Sequence, residues 1–378
     1  MNRRAYPVLL SLLALLAVAC NGVSWPSERN VATLRVLGVK AEPASLTPGG
    51  HTHLSLLCED GSRGPTSDPT CNVTDADADN FIEVAWFAGC NNPPNNDPLK
   101  CLNAINVASS ALSSTVSQTP ASSAFAASPT FELSAAADVL SETVTLSGQA
   151  VRFGVSYVFF VACAGKLVRL DGVTDRLPVE CRDRSTNALL DQTRTVTGYT
   201  TIYTYDVVQN ANPNPIHPRI SDMGGTPTLT ELAPVNECGT DADCNSGNGD
   251  QTLWGCRVRD SRCLPKVSRC DPAIARSCAG HCIDFQLPLS SFEAQTIDGN
   301  PITSPLKSLW VEYYTNAGHV PDDARFGLSP PATTSTPATS SCALWQAPQV
   351  ATDEARIWIV VRDDRGGQAW LEQAVVVR

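Results

Sequence analysis

The sequence predicts an all-β protein made of two β-sandwiches, the second of which carries a small disulfide-rich insertion. Short segments of alternating apolar and polar residues recur along the chain, and Pro/Gly-rich turns separate them. Stretches with a helical period are few. Seven of the fifteen cysteines fall between Cys238 and Cys282, which is typical of a module held together by disulfides.

The first element is a signal for export. Arg3 and Arg4 precede an apolar run from Val8 to Ala19 that only Ser11 interrupts. A run of this length is too short for a permanent membrane span and is typical of a signal peptide, here residues 1–19.

Cys20 follows directly and leaves two processing routes open. Ala17 and Ala19 fit ordinary secretory cleavage, which would release a soluble protein. The same residues together with Cys20 resemble the lipobox of bacterial lipoproteins. That resemblance implies a lipid on the Cys20 thiol, a tether over residues 20–31 and, because Asn21 is not Asp, an outer-membrane destination on the periplasmic or cell-surface side. Cysteine parity favours lipidation, because removing Cys20 from fifteen leaves fourteen, an even number.

Composition excludes some classes of protein. Apolar residues make up 43% of the chain and charged residues 17%, which indicates a chain that forms a core. The net charge of −11 argues against nucleic acid as a partner. We therefore expect membrane contact only through the lipid anchor, and an unidentified protein or glycan as the partner.

The first sandwich is predicted over residues 32–208. IEVAWF alternates between two faces, whereas VSYVFFVA is apolar on both faces, as in a strand covered from both sides. The predicted strands are Ala32–Val39, His53–Cys58, Ile82–Phe87, Thr130–Ser134, Val144–Leu146, Val155–Ala162 and Thr200–Val207.

A second unit repeats this pattern after a linker. Three prolines in Asn210–Pro218 enforce extended or turn geometry, so residues 209–236 are interpreted as a linker with the first strand of the second unit. The insertion spans 237–284 and the rest of the second sandwich 285–378. Its predicted strands are Leu309–Tyr314, Arg356–Arg362 and Gln368–Val377, and the last two are joined by a turn at 363–367.

The segments ATLRVLGVKAEPASLTPGG and IWIVVRDDRGGQAW resemble immunoglobulin-like or fibronectin-like repeats of bacterial surface proteins. The mature chain, with its disulfide-rich insertion, resembles predicted lipoproteins of GC-rich Gram-negative bacteria. That resemblance implies location and architecture but brings no known activity.

Disulfide pairing is predicted in two groups. The odd number of cysteines in the insertion requires an outside partner, for which Cys342 is the candidate, whereas the other six pair with near neighbours in the chain. An alternative bridge joins Cys58 to Cys163 across Trp86. Zinc binding near His281, in CAGHC, is the rival hypothesis for the insertion, but paired C-x2-C knuckles are missing. The disulfide candidates are Cys58 with Cys71, Cys90 with Cys101, Cys163 with Cys181, and Cys238, Cys244, Cys256, Cys263, Cys270, Cys278, Cys282 and Cys342.

Two groups of residues are weak metal candidates. Asp75, Asp77 and Asp79 alternate as in a calcium loop, but Asn80 stands where an EF-hand requires glycine, so a solvated acidic loop is favoured. His51 and His53 share one strand face; no third ligand lies at a useful spacing, so we interpret them as exposed strand residues. We expect no cofactor.

Trp358 and Trp370 are predicted on the face of their hairpin that points away from the core formed by Ile357, Ile359 and Val361. Aromatic side chains on such a face form a ligand platform, or else pack under the first sandwich or the cysteine module.

No catalytic motif of the G-x-S-x-G, H-E-x-x-H or P-loop type occurs in the chain. The sequence therefore favours a non-catalytic binding, adhesion or structural role in the cell envelope. An exported hydrolase without a sequence motif and a calcium-stabilised adhesin are the alternatives.

Overall fold

The structure is a computed structural model that describes residues 29–63, 71, 82–101, 130–146, 149–170, 173, 176–206, 214–215, 219–222, 238–245, 253–258, 260–278, 280–287, 289–292, 296–297, 300–301, 308–320, 325–328, 338–339, 343–364 and 366–378. The signal peptide, Cys20, the three aspartates at 75, 77 and 79, Cys342 and most of the linker lie outside the described residues.

The described residues of the first unit form ten strands; eight of them make an immunoglobulin-like sandwich, and β8 and β9 form a separate hairpin. The sheet β1-β3-β5 faces the sheet β2-β10-β7-β4, and β6 pairs with β7. Among the described strand pairs of this unit, only β2–β10 is parallel. The strands are β1 (Leu34–Glu42), β2 (Ser45–Leu46), β3 (His51–Asp60), β4 (Glu83–Asn91), β5 (Thr130–Ser134), β6 (Glu142–Leu146), β7 (Gln149–Cys163), β8 (Lys166–Arg169), β9 (Val179–Arg182) and β10 (Thr195–Tyr205).

The inner core of this sandwich is built around Trp86. Its ring stacks on Phe131 of the opposite sheet, with centroids 5.9 Å apart, and meets the edge of Phe160 at 5.8 Å. Gly198 lies opposite Phe160 in β10, where a Cβ atom would stand 2.5 Å from the phenyl ring. Glycine at this position therefore lets the Phe160 ring lie flat against β10.

The second unit is also an all-β sandwich. A six-stranded sheet, β12-β13-β22-β21-β17-β18, faces β11-β14-β19, and β20 also pairs with β14. The strands are β11 (Arg219–Asp222), β12 (Trp254–Arg257), β13 (Arg262–Val267), β14 (His281–Leu287), β15 (Thr296–Ile297), β16 (Asn300–Pro301), β17 (Leu309–Thr315), β18 (Arg325–Leu328), β19 (Ala338–Thr339), β20 (Ala343–Trp345), β21 (Thr352–Asp363) and β22 (Gln368–Val377).

The hairpin of β21 and β22 fills this second core as the alternation predicts. Ile357, Ile359 and Val361 are fully buried together with Val375 and Val377. The fold-class prediction of an all-β protein with packed sheets is therefore confirmed.

The cysteine-rich segment joins the large sheet. Its β13 runs parallel to the end of β22 and pairs Lys266 with Val376 and Val267 with Val377. The predicted end of the insertion at residue 284 falls within β14, which pairs with β11, β19 and β20.

Six disulfides join described residues. The three local pairs Cys58–Cys71, Cys90–Cys101 and Cys163–Cys181 are confirmed, so the alternative bridge from Cys58 to Cys163 is wrong. In the cysteine-rich segment the pairs are Cys238–Cys256, Cys244–Cys263 and Cys270–Cys278. Cys282 is also disulfide-bonded, to a cysteine outside the described residues.

The described chain begins at the seam between the two sandwiches. Asn30 forms a parallel bridge with Thr315 of β17. Val31 donates its N–H to the Thr315 carbonyl at 2.7 Å, and Thr315 donates to the Arg29 carbonyl at 2.9 Å. The segment before β1 is therefore hydrogen-bonded to the second unit before the chain enters the first.

No helix among the described residues has the length and hydropathy to cross a bilayer.

Candidate functional site

A cleft of about 330 Å³ lies over the outer face of β7 and β10. Phe159 and Val161 of β7 form its floor with Thr197 and Tyr199 of β10. The cleft exists because β7 is apolar on both faces: Val158 and Phe160 enter the inner core, whereas Tyr157 and Phe159 belong to a second, outer cluster. Disulfide-bonded loops cover part of that outer face and leave the cleft between them.

One wall is the hairpin of β8 and β9, which contributes Leu177 and Val179. The Cys163–Cys181 disulfide ties this hairpin to the end of β7. The Glu83 carboxylate of β4 adds two contacts, because it accepts the Leu167 N–H at 2.6 Å and lies 2.9 Å from Arg184. The wall is therefore attached to the sheet at two independent points.

The other wall carries Leu99, whose side chain is 69% exposed. Leu99 lies in a 3₁₀ turn, Pro98–Lys100, that begins where the Asp97 side chain accepts the Leu99 N–H at 3.0 Å. The Cys90–Cys101 disulfide closes this loop. An apolar side chain is thus held at the mouth of the cleft by a cap and a covalent link.

Tyr157 fixes the same loop from below. Its hydroxyl donates to the Asn96 carbonyl at 3.1 Å. Burial raises the pKa of Tyr157, and the neighbouring Tyr203 and Tyr199 raise it further. The hydroxyl therefore keeps its proton and acts as a donor over the whole physiological range.

Tyr199 is the exposed aromatic side chain of the cleft, with 51% of its surface accessible. Its ring lies 5.8 Å from those of Tyr157 and Phe159, at 49° to each. The rings form a continuous aromatic surface that one more apolar group can extend.

Most of the edge of β10 beside the cleft has no strand partner among the described residues, and Gly366 of the β21–β22 turn approaches it at the Thr201 carbonyl. β2 pairs only with Tyr203 and Thr204, so along 195–202 no described strand pairs with the side of β10 that faces away from β7. This stretch, TVTGYTTI, contains no charged residue and no proline. Exposed edges are usually blunted by charge, proline or bulges, so an unprotected edge indicates a place where another strand pairs.

Charged groups are confined to the rim. Arg176 lies 3.3 Å from Glu180, which also lies 2.8 Å from Arg182. The floor and walls are otherwise apolar or hydroxyl-bearing. Such a lining selects apolar side chains and leaves the rim to hydrogen-bond with polar ones.

No protein-family model matches the chain, and no curated protein matches it significantly.

Of the two interpretations of Trp358 and Trp370, packing under the first sandwich fits the structure and the ligand platform does not. The two indoles do leave the core of the second sandwich, but Trp358 is fully buried and Trp370 partly buried against Leu37 and Leu57 of the first. Trp358 also donates its indole N–H to Glu372 at 3.3 Å. The first sandwich covers this face, so the indoles are inter-sandwich contacts, as the alternative interpretation held.

His51 and His53 are exposed strand residues, as predicted. The sequence shows no carboxylate at a useful spacing, but strand pairing places two beside His53. Glu132 of β5 pairs with His53, and Glu42 of β1 pairs with His53 from the other side. Glu132 is far from His53 in the chain, so no local spacing could have revealed that pairing, whereas Glu42 lies on the strand β1, which precedes β3.

The contacts of His51 bear on the hydrolase hypothesis. Its Nδ1 lies 2.8 Å from Ser134 Oγ and 3.6 Å from Glu132. A nucleophile–base–acid relay needs the hydroxyl and the carboxylate on opposite ring nitrogens, and both contacts here involve Nδ1. More than half of the His51 side chain is exposed, on a strand face that does not line the cleft.

The cysteine-rich segment brings three sulfur atoms together, those of Cys238, Cys244 and Cys256. All three are in disulfides, so they offer no thiolate to a metal. His281 packs against Trp345 with ring centroids 5.8 Å apart, and burial lowers the pKa of His281. The described residues therefore do not assemble the zinc site considered for this segment.

Proposed function

We propose that the protein is an exported, lipid-anchored envelope protein without catalytic activity, and that it binds an extended segment of a partner protein. The partner strand adds to the open edge of β10. Its alternate apolar side chains enter the cleft, where Tyr199, Phe159 and Leu99 receive them.

The observation that carries this proposal is the uncharged edge of β10, which no described strand pairs along 195–202, beside an apolar cleft. Strand addition needs both features: backbone groups at the edge give affinity, and a pocket for alternate side chains gives specificity. The disulfides that attach both walls favour a preformed cleft, because they reduce the ordering that binding would require.

Cysteine pairing supports export and the anchor. Twelve cysteines form the six described disulfides, and Cys282 is bonded as well. Such pairing is typical of oxidising compartments. Cys20 and Cys342 are the only other cysteines. If Cys342 is the partner of Cys282, the Cys20 thiol remains for a lipid.

The binding proposal is tested by selecting phage-displayed random decapeptides on the purified full chain. We expect selected peptides to alternate apolar and polar residues. A synthetic peptide from this set should bind in fluorescence anisotropy and should slow amide hydrogen exchange in residues 195–202. Thr197→Lys should weaken binding at least about tenfold, because an edge lysine opposes strand pairing.

The matched control is Thr130→Lys, which places the same charge on an exposed threonine of β5 in the other sheet. It should leave binding unchanged. Peptides that bind without protecting β10 amides contradict strand addition. Soluble oligosaccharides that need Tyr199 but tolerate Thr197→Lys would replace the peptide proposal with glycan binding.

The anchor is tested by intact-mass analysis of protein extracted from membranes with detergent. We expect a polypeptide that begins at Cys20 and carries acyl chains. Reduction should add fourteen hydrogens, two for each disulfide formed by the fifteen cysteines less Cys20. A mass that fits an unmodified Cys20 rules out the anchor and leaves ordinary secretion.

A further inference from the structure

We infer that the outer face of the β1-β3-β5 sheet binds a divalent cation of the zinc class, through the side chains of His51, His53 and Glu132. This site is separate from the cleft, which lies on the opposite sheet of the same sandwich. Its test is therefore independent of the proposed peptide binding.

The register of the sheet places the three ligands together. His51 and His53 are two residues apart in β3 and face the same side, about 6.8 Å apart along the strand. Glu132 lies directly opposite His53 on β5, where paired Cβ atoms are about 4.5–5.5 Å apart. His51 is its diagonal neighbour, and the Glu132 carboxylate is 3.6 Å from His51 Nδ1.

Glu42 supplies a second carboxylate on the other side of His53. His53 thus stands between two acidic residues in a row of paired positions across the sheet. The nearby cation is Lys40, whose ammonium lies 2.8 Å from Glu42. Because Glu42 is paired with Lys40, Glu132 provides the carboxylate ligand.

The backbone holds the ligands in place, but the side chains must still turn toward a common point. The described residues contain one group of three or more donor atoms that already converge, and it is the disulfide cluster of Cys238, Cys244 and Cys256. More than half of the His51 and Glu132 side chains is exposed, and His53 is exposed. Exposed side chains change rotamer in picoseconds to nanoseconds, so convergence requires no backbone movement.

The donor set determines the class of ion. Two imidazole nitrogens and one carboxylate oxygen suit zinc, which takes nitrogen ligands at about 2.0–2.1 Å and leaves a fourth position for water. Calcium and magnesium prefer sites made of oxygen atoms, so the histidines select against them. Copper(II) and nickel(II) share the preference for imidazole and bind the same residues.

The untagged, oxidised full chain is first stripped of metal with a chelator. It is then titrated with zinc chloride, and binding is measured by isothermal titration calorimetry. A polyhistidine tag must be absent because it would bind zinc itself. We expect one zinc per chain. His51→Ala, His53→Ala and Glu132→Gln should each weaken binding at least about tenfold, because loss of a ligand costs no less than loss of an outer-shell partner.

Two further variants make the result decisive. His319→Ala removes an exposed histidine of the second unit and should leave the affinity unchanged. Ser134→His places a third imidazole opposite His51 and should tighten binding at least about tenfold. The inference is overturned if the native chain binds no zinc, or if binding survives the loss of both His51 and His53.

Discussion

The Arg356 guanidinium lies 3.5 Å from the Glu59 carboxylate, although 297 residues separate them in the chain. Both side chains are buried, Glu59 on β3 of the first sandwich and Arg356 on β21 of the second. Arg356 also binds Glu354 at 2.6 Å, and Glu354 accepts from Arg257 of the cysteine-rich hairpin at 2.7 Å. One buried charge network therefore joins three parts of the chain, and it fixes how the two sandwiches meet.

This network yields the first prediction. Arg356→Met removes a cation from among Glu59, Glu354 and Glu372, and an uncompensated buried charge is costly. We expect the free energy of unfolding to fall by about 3–5 kcal/mol, as measured by urea denaturation. Arg262→Met is the control: Arg262 is largely exposed and 3.8 Å from Asp260, so its loss should cost less than about 1 kcal/mol.

Trp358 should be a stability residue and not a binding residue. Trp358→Ala leaves a cavity at the seam, and we expect a loss of about 3–5 kcal/mol in denaturant unfolding. Truncation of the half-buried Trp370 to alanine should lower the free energy of unfolding by less. Selected peptides should still bind to folded Trp370→Ala protein with native affinity, and a selective loss of peptide binding there would restore the ligand-platform hypothesis.

The Cys163–Cys181 disulfide should matter to the cleft as well as to stability. Replacing both cysteines by serine should cost about 3 kcal/mol, since the bond closes a loop with a sequence separation of 18. It should also weaken peptide binding, because the wall formed by β8 and β9 loses one of its attachments. The same double replacement at Cys270 and Cys278 should leave peptide binding intact. If both double replacements weakened binding equally, the Cys163–Cys181 disulfide would have no specific role in the cleft.

Asp183 should make the turn after β9 sensitive to acid. Its carboxylate accepts hydrogen bonds from Ser185 and Thr186, which lower its pKa from 3.8 to about 2. The folded state therefore favours the ionised form, so the stabilisation is present above about pH 4 and is lost as pH falls toward about 2. Carbon-detected NMR titration of the side chain measures this directly, and a midpoint near 4 would refute it.

Peptide mapping without reduction should find Cys282 linked to Cys342. Cys282 lies in β14 opposite Leu344 of β20, two positions after Cys342 in the chain. A link from Cys282 to Cys20 would contradict both this pairing and the lipid anchor.

Much of the fold could be predicted because its signals are local. Alternation over five to ten residues marks β5 and β22, and both agree with the predicted bounds. The three disulfides of the first sandwich join cysteines at separations of 11 to 18 and follow from proximity in the chain.

The candidate sites could not be predicted, because they depend on pairing between distant strands. β10 was predicted to begin at Thr200, yet it begins at Thr195, since threonine and glycine give little apolar alternation. Those missed residues form the open edge of the cleft. The Glu132 carboxylate beside His53 likewise comes from β5, on a register that no sequence spacing encodes.

The bridge between Asn30 and Thr315 has a mechanical consequence. A pull applied to the residues that precede Arg29 first meets the hydrogen bonds to β17 and then those of β1, so tension is shared between the two sandwiches. Neither sandwich can be unfolded by force on that end of the chain until the hydrogen bonds between the two units break.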